Sequence, residues 1–239
     1  MSHTHMDDVA HLYEHTIPQH VLNHYLRKRV AFIRRRIARG LVLDVGCGTG
    51  LLGVGLREAG LNVIGLDESF GMLKTCQQVH GISSLCGDSA QLPIAANSVD
   101  AAVCIAALHH VMDARQVRLT LAEMFRVVKP GGWMLLWDHN PLNPYWPFLM
   151  KRMPQDQEPT RLVPLKELLN DLRLDGVASV EARRSGFVPD FAPPKLLWLF
   201  QTIEWVVERM PGLRCWCAHN VVVATKSPPV APVIAGAYA

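Results

Sequence analysis

Ten residues constrain this chain more than any others: Leu-Val-Leu-Asp-Val-Gly-Cys-Gly-Thr-Gly, Leu41 to Gly50. A short apolar strand runs straight into alternating glycines, and the helix-like segment Leu51–Ala59 follows. Glycines so placed let a ligand approach the backbone where any Cβ would block it. A dinucleotide fingerprint is the obvious rival, because Gly48-Thr-Gly50-Leu-Leu-Gly53 matches G-x-G-x-x-G literally. The register is wrong for it. The first glycine after the strand is Gly46, and the third fingerprint glycine counted from there falls on Leu51. Asp44, two positions before Gly46, would also oppose a pyrophosphate. A carboxylate there suits a ligand with an ammonium group, or a turn whose amides need bracing.

Strand and helix patterns alternate around this turn. Leu22–Ile37 has apolar residues at helical spacing and stops at Gly40; Leu41–Val45, Asn62–Leu66, Ile82–Cys86, Val99–Ala106 and Trp133–Trp137 read as strands. Ser69 can cap a helix to Val79, and a helix from Ala114 to Val128 should end at Lys129-Pro130-Gly131-Gly132. Strands apolar on both faces and separated by helices indicate a doubly wound α/β fold with a mostly parallel sheet. Six prolines between Pro141 and Pro164 then predict a long, stiff loop over 139–164 carrying Tyr145, Trp146 and Phe148. Leu165–Leu172 reads as a helix, Val177–Phe187 as a strand, Pro194–Met210 as a helix and Trp216–Thr225 as a last strand. The expected organisation is one domain over 1–226, with a cap segment 8–39, a lid 139–164, a helical insert 190–212 and a loose tail 227–239.

The pattern D-x-G-x-G-x-G at the end of a first strand resembles the first motif of class I S-adenosylmethionine-dependent methyltransferases, in their broad small-molecule group. The resemblance spans about Val21 to Val223 and is strongest between Leu41 and Trp137. It implies a seven-stranded Rossmann-like sheet of order 3-2-1-4-5-7-6 with the last strand antiparallel. It also implies that Asp44, Gly46, Cys47, Gly48 and Gly50 form the cofactor turn. Asp67, ending Ile-Gly-Leu-Asp, falls where the family grips the ribose hydroxyls, with Glu68 beside it. Met72 matches a residue packing on the adenine, and Asp88 and Ser89 match positions reading its edge. Ala106 falls at the end of the fourth strand, before the trailing histidines His109 and His110. Tyr13 and Tyr25, in the segment that caps the cofactor in similar enzymes, are candidates for sulfonium contact.

Ligands of open parallel sheets bind at the carboxyl ends of the strands, which places His109, His110 and His139 near the reacting atoms. A neutral histidine there can accept a proton, and His139 is the leading candidate. Asn140 with Tyr145, Trp146 and Phe148 would wall the acceptor, apolar with few polar groups. Asp138-His139-Asn140 also invites a Mg²⁺ reading of the catechol-methyltransferase type. Those enzymes need a second carboxylate after the fourth strand, where this chain has Ile-Ala-Ala-Leu-His-His, so no metal is expected.

Composition bounds the partners. Lys and Arg number 24 against 21 Asp and Glu, a net charge of +3 that gives no indication of nucleic-acid binding. The N-terminal residues lack a signal-peptide pattern and most of the six cysteines sit in apolar runs, consistent with reduced thiols in the cytoplasm. No apolar run is long enough to cross a membrane. Seven basic residues between Arg27 and Arg39 form a stripe read as a solvated face. In Pro194–Met210, Leu196, Leu199, Phe200, Ile203, Val206, Val207 and Met210 share the face expected to dock. Trp198 and Trp205 then project outward toward substrate, a second subunit in a homodimer, or a membrane surface. The functional expectation is methyl transfer from S-adenosylmethionine to a small, partly apolar acceptor at oxygen, nitrogen or carbon. Two alternatives stay open: an NAD-dependent oxidoreductase, and a non-catalytic subunit that binds S-adenosylmethionine.

Overall fold

Seven strands form the frame, the central ones buried on both faces: β1 (Leu41–Val45), β2 (Asn62–Asp67), β3 (Ser84–Cys86), β4 (Val99–Ile105), β5 (Val128–His139), β6 (Val177–Ser185) and β7 (His219–Lys226). The computed structural model describes residues 6–7, 10, 13–151 and 160–229. The sheet order is β3-β2-β1-β4-β5-β7-β6. Strands β1 to β5 pair in parallel, and β7 runs antiparallel to both β5 and β6. This is the order and sense expected from the sequence.

Period-two alternation builds two cores, one on each face. On one side Leu43, Val45, Ala102, Met134 and Leu136 meet Val117, Leu121 and Met124 of helix α4 (Ala114–Val127). On the other, Val42, Val103, Leu135 and Trp137 meet Phe32 and Ile33 of α1 (Gln19–Arg34) and Leu52 and Leu56 of α2 (Leu51–Glu58). Helix α3 (Phe70–Gln78) starts where expected, with the Ser69 hydroxyl accepting the Met72 N–H. Satisfying one orphan amide in this way is typically worth about 1 kcal/mol.

Three expectations need correction. Lys129-Pro130-Gly131-Gly132 is not a turn ahead of the fifth strand but part of β5. The register jumps there, from Val99 opposite Val128 to Ala101 opposite Trp133, and Gly131 takes a φ of +81°. The chain after β5 is not wholly irregular, since Trp146–Leu149 makes one helical turn, α5, before α6 (Leu165–Asp171). Proline is tolerated in a first turn, where its missing N–H would go unused. The middle of the expected lid (152–159) and the tail from 230 lie outside the described residues.

The largest correction concerns α7 (Leu197–Arg209). Its buried residues are Glu204 and Val207, while Leu196, Leu199, Val206 and Met210 of the expected docking face are exposed. Electrostatics turned the helix. Glu204 receives Lys28 Nζ at 2.5 Å and lies 3.0 Å from His24 Nε2, and it accepts the Phe187 and Val188 amides. Glu208 also receives Lys28, together with Ser185 Oγ and the Gly186 amide. These partners hold the Glu204 carboxyl down to about 2, against a burial that alone would raise it. The basic stripe is therefore not simply solvated. Lys28 is spent on α7, Arg36 pairs with Glu181, and Arg34 bonds the Ile37 and Ala38 carbonyls.

Candidate active site

Two cavities lie at the carboxyl ends of the central strands. The first, of about 640 Å³, is lined by Gly46, Gly48, Asp67, Glu68, Asp88 and Ser89, with Met6 and the segment 104–113 closing it. The second, of about 470 Å³, is mostly apolar and is lined by Tyr25, His109, His139, Tyr145, Trp146 and His219, among others. Ala106 and His110 line both, so the cavities share a wall at the end of β4.

The glycine turn has the geometry its sequence implied. A Cβ on Gly46 (φ +71°) would come within 2.4 Å of the Ala107 Cβ, so the turn closes only without one. A Cβ on Gly48 (φ +53°) would meet nothing within 4 Å; it would point into open space where a ligand can approach. Asp67 braces this turn: Oδ2 accepts the Gly48 amide at 2.8 Å and Oδ1 accepts the Ser69 amide at 2.9 Å. Burial raises its pKa, partly offset by those amides. Asp88 is exposed at the cavity rim and accepts the Ala90 amide, while Ser89 Oγ lies 3.0 Å from the Thr120 hydroxyl. Ala106 adopts φ +54°, a strained setting for a residue with a Cβ, where both cavities meet.

Several expected contacts fall elsewhere. Asp44 is 3% exposed and does not line the first cavity; it points to the α1–α2 side, and burial pushes its carboxyl up to about 7. The bracing role imagined for it belongs to Asp67. Cys47 and Gly50 do not line the first cavity: the Cys47 thiol donates to the Gly48 carbonyl at 3.7 Å, and Gly50 packs on the Cys76 sulfur. Met72 is fully buried against Ala10 and Met6 rather than lining the cavity. From the N-terminal segment Met6 lines the cavity, and its neighbour Asp7 accepts the Ser69 hydroxyl and the Gly71 amide. Nothing in the sequence pattern marked Asp7. Tyr25 lines the second cavity, not the first, and its phenol donates to the Val188 carbonyl at 2.6 Å. Its burial raises the phenol well above its ordinary range, so it stays protonated. The side chain of Tyr13 lies outside the described residues.

Histidines converge on the second cavity. His109, 2% exposed, puts Nδ1 2.8 Å from Asp138 Oδ1, and its own amide bonds Oδ2 at 3.1 Å. Oδ1 also accepts the His139 amide at 2.6 Å. Although burial would raise the Asp138 pKa, attraction to His109 and these bonds hold it well below the carboxylate range. At this distance the carboxylate can accept the Nδ1 proton of His109. His139 has a different setting. Its ring stacks between Trp146 (centroids 3.7 Å) and His109 (4.2 Å), and its buried Nδ1 makes no hydrogen bond, lying 4.0 Å from Asp138 Oδ1. Burial and the neighbouring His109 lower its pKa well below 6.5, and burial takes His219 down to about 3. Both are neutral walls near pH 7. His109, Asp138 and His139 lie close enough to suggest a metal cluster, but both Asp138 oxygens are already committed to this chain's own donors.

Two acceptor-site expectations are corrected. Asn140, 1% exposed, does not line the cavity; its amide donates to the Cys215 and Cys217 carbonyls and its Oδ1 accepts Leu142 N–H. It pins the loop to the segment before β7. Phe148 is 68% exposed and points away, because α5 presents Trp146 and Leu149 inward instead. Tyr145 and Trp146 do line the cavity, with Trp146 Nε1 held by the Ala218 carbonyl. Sequence reading missed His219, Phe187 and Phe191, which come from segments with no local motif.

Residues 43–136 match the family model described as a methyltransferase domain. A demethylmenaquinone methyltransferase of Renibacterium salmoninarum is 38% identical over 120 residues, covering 47% of this chain and 49% of that protein. The chain thus spans about half the length of that curated relative. A tRNA (carboxymethyluridine(34)-5-O)-methyltransferase of Arabidopsis thaliana is 35% identical over 113 residues, 46% of this chain and 26% of that one. Among solved structures, an S-adenosylmethionine-dependent methyltransferase of Thermotoga maritima, described as a possible histamine N-methyltransferase, superposes with a TM-score of 0.69. It is 19% identical and covers 94% of this chain and 99% of its own.

Proposed function

Because the chain carries a methyltransferase domain of the class I S-adenosylmethionine-dependent superfamily, we propose that it moves a methyl group from S-adenosylmethionine to a small, largely apolar acceptor. The observation that carries this reading is the pair of adjoining cavities, one beside the glycine turn with carboxylates in its wall and a second, more apolar one, sharing Ala106 and His110. The first suits the cofactor chemically: the space over Gly48 admits a close ligand, and the Asp67 carboxylate can accept from paired hydroxyls. S-Adenosylmethionine supplies a methyl on a positively charged sulfur that is already activated.

The chain then has to align the acceptor and remove a proton where the acceptor carries one. Holding the partners in line can contribute roughly 7–11 kcal/mol. His109 takes the proton at Nε2, and Asp138 stabilises the resulting imidazolium through Nδ1. This assigns the base to His109 rather than His139, whose stacked, neutral ring shapes the cavity wall. Tyr145, Trp146 and Phe187 supply apolar walls, which suit a ring-bearing acceptor of the kind named for the demethylmenaquinone relative.

Incubating the protein with methyl-labelled S-adenosylmethionine and a panel of apolar hydroxylated aromatics tests the reading. Label transfer that falls at least 100-fold in His109→Gln, with cofactor affinity kept, is the expected result. Cofactor binding without transfer to any small acceptor, or transfer to tRNA instead, would overturn the assignment of the apolar cavity.

A further inference from the structure

The corrected orientation of α7 leaves a surface that the fold does not use. At about 100° per residue, Trp198, Leu199, Thr202, Trp205, Val206, Arg209 and Met210 occupy one outward arc of roughly 140°. All seven are exposed, Trp198 at 64% and Trp205 at 57%. The charges of this region are sorted by side. Between Asp190 and Cys217 the acids are withdrawn: Glu204 and Glu208 bind Lys28, and Asp190 accepts the Tyr145 hydroxyl. The bases Lys195, Arg209 and Arg214 are all exposed, and Arg209 lies over the Trp205 ring at 4.1 Å. The outer face is therefore apolar, tryptophan-bearing and positive.

The second cavity reaches the surface through the segments that flank α7. Phe191 and Trp216 are 61% and 53% exposed and also line the cavity, and Phe200 of α7 lines it from inside. A surface made of aromatic rings and cations, with its acids turned inward, matches a membrane–water interface. Tryptophan settles at headgroup depth, and each basic residue gains from an anionic leaflet. No described helix is long and apolar enough to cross a membrane, so the contact would be one that lies on the surface.

We propose that the outer face of α7, with Phe191 and Trp216, seats the protein on an anionic lipid surface. The mouth of the apolar cavity then faces the bilayer, and the acceptor is a lipid-partitioned molecule that enters without crossing water. The acceptor part rests on the proposed methyl transfer; the membrane contact is measured without any acceptor.

The test is co-sedimentation of the full chain with vesicles of phosphatidylcholine and phosphatidylserine at 7:3, against phosphatidylcholine alone. Binding to the anionic vesicles should be at least tenfold tighter and weaken in high salt. Trp198→Ala with Trp205→Ala should lower partitioning at least about tenfold. Lys195→Gln with Arg214→Gln should lower it by about fivefold per lost cation. Neither pair lines a cavity, so thermal unfolding and S-adenosylmethionine calorimetry should match wild type. Failure to bind vesicles by a protein that still binds S-adenosylmethionine would sink the proposal and leave the methyl-transfer reading standing. Failure to bind S-adenosylmethionine would count against that reading whatever the vesicles show. A concentration-dependent dimer abolished by the tryptophan pair would give the face to a second copy. That outcome would overturn the membrane assignment.

Discussion

Replacing Asp138 with Asn removes one acceptor from the most heavily used carboxylate of the site. The wild-type oxygens take three bonds, from His109 Nδ1 at 2.8 Å, the His139 amide at 2.6 Å and the His109 amide at 3.1 Å. Asparagine keeps one oxygen, so in its better orientation it still serves the His109 ring and the His139 amide. Its amino group then faces the His109 amide, donor against donor. A buried donor without an acceptor costs about 1–3 kcal/mol, and losing the charge from two further bonds adds about half of their worth, for a total of roughly 2.5–6 kcal/mol. For a chain of 239 residues that corresponds to a fall in Tm of roughly 5–24 °C. Turnover should fall about 10²–10⁴-fold, because His109 loses both its orientation and the partner of its charged form. Cofactor affinity should change little, since Asp138 does not line the first cavity. Calorimetric unfolding, cofactor titration and label transfer on one preparation measure all three. An unchanged Tm with unchanged turnover would refute the Asp138–His109 assignment.

The remaining predictions concern the cofactor turn, the acceptor wall and pH. Asp67→Ala should weaken S-adenosylmethionine binding by about 1.5–3 kcal/mol, and titration calorimetry of the folded variant reads this directly. Trp146→Ala should chiefly raise the acceptor's KM, because it removes a wall common to ground and transition states; a pure loss in kcat would place Trp146 in the chemistry instead. Without cofactor, two buried groups should impose opposite pH slopes. Asp44, raised to about 7, contributes stability that is full below about pH 4 and is lost as pH rises through 7. His219, lowered to about 3, contributes stability that is present above about pH 6.5 and is lost as pH falls toward 3. Denaturant titrations from pH 4 to 7 should therefore rise more steeply with pH in Asp44→Asn than in wild type, and less steeply in His219→Gln. Parallel curves for all three proteins would contradict the burial of one or both groups.

The parts of this structure that were legible in sequence are those encoded over short distances. The strand Leu41–Val45 and its glycines carry their own geometry, and Asp67 and Ser69 stand at fixed offsets from the end of β2. The parts that were not legible depend on pairs far apart in the chain. The face of α7 was misassigned because apolar periodicity was read without Lys28, which lies 176 residues from Glu204 and turns the helix inward on its acids. Asn140 read as a substrate group because a polar residue after a strand end gives no sign that the Cys215 and Cys217 carbonyls will take it. Position after a strand end makes His139, His109 and His110 legible as candidates for a general base. Only the fold shows that Asp138 reaches across to His109 on the neighbouring strand end, leaving His139 stacked on Trp146. Asp7, which ties the N-terminal segment over α3, has no local signature at all.

The measurement closest to the central claim is calorimetric titration of wild type and Gly48→Val with S-adenosylmethionine and, separately, with NAD. Gly48 faces open space with a φ of +53°, so a valine there would project into the first cavity while clashing with no protein atom near its Cβ. The account predicts one S-adenosylmethionine bound per wild-type chain, no heat with NAD, and S-adenosylmethionine affinity lost in the folded variant. Equal S-adenosylmethionine binding by both proteins, or binding of NAD in its place, would contradict it.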